Sequence, residues 1–406
     1  MNLHVLEKLA QTNPDCEIWW DSSPIVYQQW ALKTISEAPK DKKDIWAEQL
    51  ERLYDPATVE AKATTGFRGV TTNPSLSLQA ILSDPEYWTD EIRRIIAENP
   101  MDNAEQIYWK AYLETVRCGA EMMRPLFEKS GGKYGWLSGQ VDPRFVSDLD
   151  RMRENAADLM AVAPNVMVKV PGTKEGYQLI EELTAQGVST NNTASFTVSQ
   201  YVACMNAVSS GLETAKANGV DLSKWRSVIT HMSARLGNVG DLAWQAEERG
   251  IEITPEEILL GELAVIKRAY RLLQEKNHPS KMLMCSMRVK HDDATDEASS
   301  WHIQKLAGGD FVYTCPPSYI AELMQQEDRL GDFDKQAVNE DISEETLSKL
   351  LKLPYYRQAY NFDGMTHEEF SQFGAFITTA SEFAIATRKT IDFVARIYAD
   401  AKQQAA

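Results

Sequence analysis

The chain has 406 residues, enough for one large domain or two or three small ones, and its 43% hydrophobic and 25% charged residues are ordinary for a globular protein. A net charge of −17 argues against a broad nucleic-acid or anionic-membrane surface, though not against a local anion site. Five scattered cysteines (Cys16, Cys118, Cys204, Cys285, Cys315) with no C-x-x-C pair, no signal-peptide core and no bilayer-spanning apolar run together fit a cytoplasmic protein with buried thiols.

In chain order, residues 1–14 read as an amphipathic helix. Strand-like runs follow at 17–21, 69–72, 135–141, 166–170, 188–193, 227–232, 282–287 and 310–315, each leading into a helical pattern. Strands alternating with helices predict right-handed βαβ units and a parallel sheet. Eight such units without a break in composition predict an α/β fold of the closed (β/α)8 TIM-barrel type. One unit shows the logic. After 166–170 comes Thr173 as N-cap, then Tyr177, Ile180 and Leu183 at helical spacing, then Gly187 as the stop. Three segments exceed a minimal barrel: a long helical stretch at 76–133, two helices within 236–280, and a helical tail. The second of those two helices starts after Thr254-Pro255. In the tail, the acidic stretch 328–345 reads as an exposed loop or irregular helix, and Phe370, Phe373, Ile377, Ala384, Ile391 and Tyr398 mark one or two packed helices. The whole reads as one domain, with a barrel core at about 16–320 and a C-terminal helical extension at 321–406.

Lys169 is the most informative residue. It interrupts Val166-Met167-Val168-Lys169-Val170-Pro171, a run apolar enough to be a buried parallel strand. A lysine there must reach a polar cavity or remain desolvated, and desolvation favours the neutral amine. A neutral amine attacks carbonyls and forms Schiff bases. The alternative is a lysine that snorkels out or pairs with a carboxylate.

Catalytic groups of a barrel sit at the C-terminal ends of its strands. Polar residues stand at seven of the eight predicted ends: Asp21, Asn73, Gln140, Lys169, Asn191 with Thr193, the Thr230–Arg235 run, and Ser286 with Arg288. The last strand adds no obvious catalytic group. This set suits imine-based carbon–carbon cleavage or transfer. The lysine attacks a ketose carbonyl, and Asp21 moves the protons. Asn73, Asn191, Thr193 and Ser286 hold sugar hydroxyls, and Arg235 and Arg288 clamp a phosphate. Taken singly, each Asp or Asn could be a turn former or helix cap, and each arginine a surface ion pair. A metal site at His291-Asp292-Asp293 lacks a second histidine at ligand spacing, and the cluster with Asp296 and Glu297 reads better as a helix start.

These residues resemble the transaldolase family, the Schiff-base aldolases that include transaldolase and fructose-6-phosphate aldolase. The motifs are Gly69-Val70-Thr71-Thr72-Asn73-Pro74-Ser75-Leu76 and Val168-Lys169-Val170-Pro171-Gly172-Thr173-Lys174-Glu175-Gly176, supported by Asn191-Asn192-Thr193, the Arg235 segment, Ser286-Met287-Arg288 and Leu306-Ala307-Gly308-Gly309-Asp310. The resemblance implies a class I aldolase barrel that acts on phosphorylated ketose and aldose sugars and needs no metal or organic cofactor. It implies Lys169 as the Schiff-base lysine and Asp21 as the acid/base, with Gln140 and Thr193 in the catalytic group. Asn73, Asn191, Ser286, Arg235 and Arg288 would bind substrate. Two positions depart from the pattern. Gln140 stands where transaldolase proper has a glutamate and where fructose-6-phosphate aldolase has glutamine. Met232 stands where both have an aromatic, with His231 beside it as a packed residue or a recruit to the chemistry.

The expected function is transfer of a dihydroxyacetone unit between phosphorylated sugars. The alternatives are a lyase of the fructose-6-phosphate aldolase kind or an aldolase of specialised metabolism, which Gln140 favours, and a non-catalytic sugar-phosphate-binding barrel. No nucleic-acid or membrane partner is expected. Exposed apolar helices in the tail would suit a homodimer.

Overall fold

The computed structural model describes residues 2–54, 66–237, 240–292 and 297–404. Its strands are β1 Glu17–Asp21, β2 Phe67–Thr71, β3 Trp136–Gln140, β4 Val166–Pro171, β5 Thr190–Ser195, β6 Ser227–Met232, β7 Lys281–Cys285, β8 Lys290–Asp292, β9 Glu297–Ser299 and β10 Phe311–Cys315. Eight of them close a parallel barrel in the order β1-β10-β7-β6-β5-β4-β3-β2, and β8 and β9 form a separate antiparallel hairpin. Helices stand between the strands, so the architecture is the expected (β/α)8 barrel.

Alternation along each strand decides what lies inside. In β4, Val166, Val168 and Val170 alternate with Met167 and Lys169, and all are buried. Trp19 of β1 fills the barrel opposite Gly69 of β2, its register partner. A Cβ on Gly69 would meet the indole ring at 2.5 Å, so this strand position requires glycine. At the barrel base, Glu17 pairs with Arg226 at 2.5 Å and with Lys281 at 3.1 Å, and Lys281 also pairs with Asp310 at 2.5 Å. Burial alone would raise the Glu17 pKa, but the two cations outweigh it and hold the carboxyl at about 2.

The long insertion forms helices Pro74–Ser83, Pro85–Glu98 and Ala104–Lys129. The final helix, Gly374–Gln404, packs on all three and reaches Pro143–Phe145 and β5, so it lies across the carboxyl ends of the strands. Its buried face is Phe376, Thr379, Phe383, Thr387, Ile391 and Val394. Ile377, expected on that face, is 51% exposed, because Phe376 and Thr379 take the inward turn instead.

Other boundaries differ from expectation. The N-terminal helix is only Val5–Ala10, closed by a capping box between His4 and Glu7. The acidic stretch is mostly exposed, as read, with a short 3-10 turn at Ala337–Asn339 whose Ala337 and Val338 are buried; Lys267 donates to the carbonyls of Ala337 and Glu340 at 2.7 Å each. The cluster around His291 does not start a helix. Lys290–Asp292 is a strand, the next helix begins at Trp301, and Asp293 and Asp296 lie outside the described residues. No helix among the described residues is long and apolar enough to cross a membrane.

Candidate active site

β4 carries Lys169 in register with Gln140 of β3 on one side and Asn191 of β5 on the other. Lys169 is 5% exposed, and its Nζ donates to the Thr72 carbonyl at 2.9 Å. Burial lowers its pKa, while the charge of Asp21 pushes it back up. Asp21, half-buried as the last residue of β1, shows the converse: burial raises its pKa, opposed by Lys169 and by a hydrogen bond from Thr71 at 2.6 Å. Burial therefore favours a neutral amine beside a neutral carboxyl, and their mutual attraction favours the charged pair. Such opposed tendencies suit two groups that exchange protons with a substrate.

The neighbours are held by short polar contacts. The Thr71 hydroxyl also meets that of Thr314 at 2.5 Å. Strand β10, expected to add nothing, thus orients the hydroxyl that supports Asp21. Thr230 donates to Asn191 Oδ1 at 2.7 Å, and Asn191 Nδ2 donates to Ser138 Oγ at 3.0 Å. Asn191 is fixed at both ends of its amide by the barrel itself. Gln140 is anchored through its backbone. The Tyr112 hydroxyl donates to its carbonyl at 2.9 Å and accepts its N–H at 2.8 Å. Its side-chain Oε1 is buried and has no partner, so it can accept a hydrogen bond from a bound molecule.

The remaining candidates are placed as follows. Thr193 is buried, in register with Pro171. Asn73 caps the helix Pro74–Ser83, its Oδ1 accepting from the Leu76 N–H at 3.0 Å, which leaves its amide nitrogen for other partners. Met232 follows Thr230 at the inward spacing of β6. His231 points the other way and stacks on Tyr201 of the helix Val198–Ala217, with centroids 6.0 Å apart. Burial pulls its pKa down to about 4. It lies in the layer between sheet and helices, away from the Lys169 cluster.

Left-handed backbone (φ 56°, 56° and 60°) occurs at Ala194, within the irregular end of β5, and at Ala234 and Ser286, just past β6 and β7. Strain of this kind gathers where surroundings over-determine a conformation. Arg235 follows Ala234. Its Nη1 donates to Thr379 Oγ1 at 3.0 Å and pairs with Glu382 at 2.7 Å, both on the final helix. Its Nε is buried without a partner. Arg288, the second arginine of the expected phosphate pair, has other partners. It is exposed, and its Nη1 donates to the carbonyls of Ser286 and Met287 at 3.1 Å each. It lines a groove of about 180 Å³ with Ile258, Leu259 and Trp301, and it shares none of Arg235's partners. The left-handed turn at Ser286 redirects the chain between β7 and Arg288. Sequence reading set Thr71, Ser138, Thr230 and Thr314 among the strand-end polar residues without giving them a role, which the inward alternation of their strands could have supplied.

Comparison with known proteins agrees with the fold. The sequence model of the transaldolase/fructose-6-phosphate aldolase family matches residues 48–373. The chain belongs to that family. Transaldolase from Thiobacillus denitrificans is 31% identical over 300 residues, covering 69% of this chain and 81% of that protein. Transaldolase from Saccharopolyspora erythraea is 29% identical over 315 residues, covering 74% and 83%. Transaldolase from Mycobacterium ulcerans is 29% identical over 293 residues, covering 67% and 76%. The protein is accordingly an enzyme of the transferase/aldolase type, and the Lys169 cluster sits at the end of the barrel where this fold carries its chemistry.

Proposed function

We propose that this family member transfers a dihydroxyacetone unit between phosphorylated sugars through a Schiff base on Lys169. The observation that carries the reading is the buried Lys169 amine, lowered in pKa by its burial and set between Gln140 and Asn191 within the influence of Asp21.

The amine attacks the C2 carbonyl of the donor ketose to give a carbinolamine. Asp21 protonates the departing hydroxyl, water leaves and an iminium forms. The carboxylate then takes the proton of the C4 hydroxyl, the C3–C4 bond breaks, its electron pair flows into the iminium, and an aldose phosphate departs. The resulting enamine adds to the acceptor aldehyde, whose oxygen recovers the proton from Asp21. Hydrolysis then frees Lys169. Thr71 and Thr314 hold the carboxylate that shuttles the proton. Asn73, Thr193 and Ser286 supply donors and acceptors for sugar hydroxyls, and Asn191 supports them through its fixed amide. Arg235 receives the phosphate, with Arg288 at the exposed rim.

A second reading, net cleavage with release of free dihydroxyacetone, is favoured by Gln140. Its unpartnered Oε1 can orient a water but cannot take the water's proton. Both readings share the Lys169 imine. Borohydride reduction in the presence of fructose 6-phosphate should fix a three-carbon unit on the peptide containing Lys169. An unlabelled Lys169 peptide would exclude both.

A further inference from the structure

Glu262 is a buried carboxylate in the middle of the helix Pro255–Glu275, on the outer side of the barrel from Lys169's strand interior. Its Oε2 accepts the Ala234 N–H at 2.8 Å and its Oε1 accepts the Leu236 N–H at 3.4 Å. Those are the two backbone amides that flank Arg235. Ala234 is also the left-handed residue that turns the chain out of β6. A third donor reaches the same carboxylate: His302 Nε2, buried, at 3.2 Å. Burial would raise the Glu262 pKa, but His302, His231 and the Ala234 amide outweigh it and keep the carboxyl below its usual range. Two residues before His302, the buried Ser300 hydroxyl donates to the Arg288 carbonyl at 3.0 Å and contacts the Tyr319 hydroxyl at 2.5 Å.

We infer that Glu262 is the positioning residue of the Arg235 loop, and that the segment Ser300–His302 couples that loop to the Arg288 loop, so that one buried network sets both arginines for an anionic phosphate. This rests on the proposed phosphate role of the arginines and adds residues that touch no substrate. The arrangement explains a carboxylate beside a site meant for an anion. The hydrogen bonds of Glu262 go to the two backbone donors and His302, although it lines the same groove as Arg288.

The test uses the full-length enzyme and inorganic phosphate followed by calorimetry. Glu262→Gln keeps the size but presents an NH2 to one of the two backbone donors. It should weaken phosphate binding about tenfold, by loss of a charge-assisted contact. The Michaelis constant for fructose 6-phosphate should rise by a similar factor. Borohydride trapping of free dihydroxyacetone, which carries no phosphate, should stay within about twofold of wild type. His302→Gln, which can still donate, should rescue most of the affinity that His302→Ala loses. Ser300→Ala reads the Arg288 side of the network if Glu262→Gln does not fold, and it too should weaken phosphate. Unchanged phosphate affinity in the folded variants, equal losses for phosphate and for dihydroxyacetone trapping, or a wild type that binds no phosphate would each overturn the inference. A wild type that binds phosphate, loses it in the variants and yet traps no ketose supports the positioning role and overturns only the Schiff-base reading.

Discussion

At the scale of single residues, the account turns on how Lys169, Asp21 and Gln140 share one interior layer. Asp21's charge raises the Lys169 pKa against the lowering effect of burial. Asp21→Asn removes that charge, so the amine becomes free at lower pH. The rising limb of imine trapping against pH should move to lower pH, while turnover falls by about 10²- to 10⁴-fold with the loss of proton transfer. A limb that stays in place, measured by trapping free dihydroxyacetone from acid to alkaline pH, would separate Asp21 from Lys169. Gln140 offers the complementary experiment. A carboxyl at this position could change charge where the amide cannot. Gln140→Glu should raise transfer from fructose 6-phosphate to erythrose 4-phosphate and lower the release of free dihydroxyacetone, with both products measured in one assay. Fast wild-type transfer without release, made no faster by the substitution, would show that Gln140 does not limit the reaction. Lys169 was legible because a lone charge in an apolar strand has few places to go. Asn191 and Thr71 were less so, because a strand-end amide or hydroxyl reads the same whether it meets a ligand or another strand.

At the scale of elements, the final helix supplies what the barrel strands do not. Glu382 holds one edge of Arg235, and the pair is exposed on the Glu382 side at 49%. With Arg235 as the proposed phosphate ligand, this carboxylate would compete with an incoming phosphate. Glu382→Ala should therefore lower the Michaelis constant for phosphorylated donors, by up to about fivefold for a half-exposed pair. A rise instead would mean that Glu382 aligns Arg235 rather than occupying it. The strands themselves were readable from β-branched runs, but their ends were not. The run read at 188–193 is Thr190–Ser195, because Thr190 rather than Val188 enters the ladder with Val168 and Ser227. The hairpin Lys290–Asp292 with Glu297–Ser299 was invisible to sequence reading because its polar, short strands carry no alternation. The buried Glu262 left a signal that went unused. It is one charge among Ile258, Leu259, Leu260 and Leu263, and with Lys267 one of two buried charges on a helix whose buried face is mostly apolar.

At the scale of the molecule, the barrel has a charged base and a polar mouth with different duties. Glu17, Arg226, Lys281 and Asp310 close the base far from the candidate chemistry, so their contribution should appear in stability alone. The folded Glu17 pKa of about 2 lies below its unfolded value of 4.5. Its stabilisation is therefore complete above about pH 4.5 and is lost as the pH falls towards 2. Glu17→Gln should cost about 3 kcal/mol at neutral pH, since it leaves two part-buried cations short of a partner, and should flatten acid unfolding across that window. A variant that matches wild type in thermal unfolding at pH 7 would deny the base this role. At the mouth, eight strands bring residues from 21 to 314 around one amine. The closure was predictable from the repeated βα pattern. The exposure of Arg288 was not, because the chain reaches it through the left-handed turn at Ser286, which nothing in a serine's identity announces. The central claim is that this amine forms the covalent intermediate. Borohydride reduction with fructose 6-phosphate, followed by peptide mass mapping of wild type and Lys169→Met, tests it most directly. The account predicts a reduced three-carbon adduct on the peptide carrying Lys169 and none in the variant, whereas an adduct on another lysine, or full turnover by the variant, would contradict it.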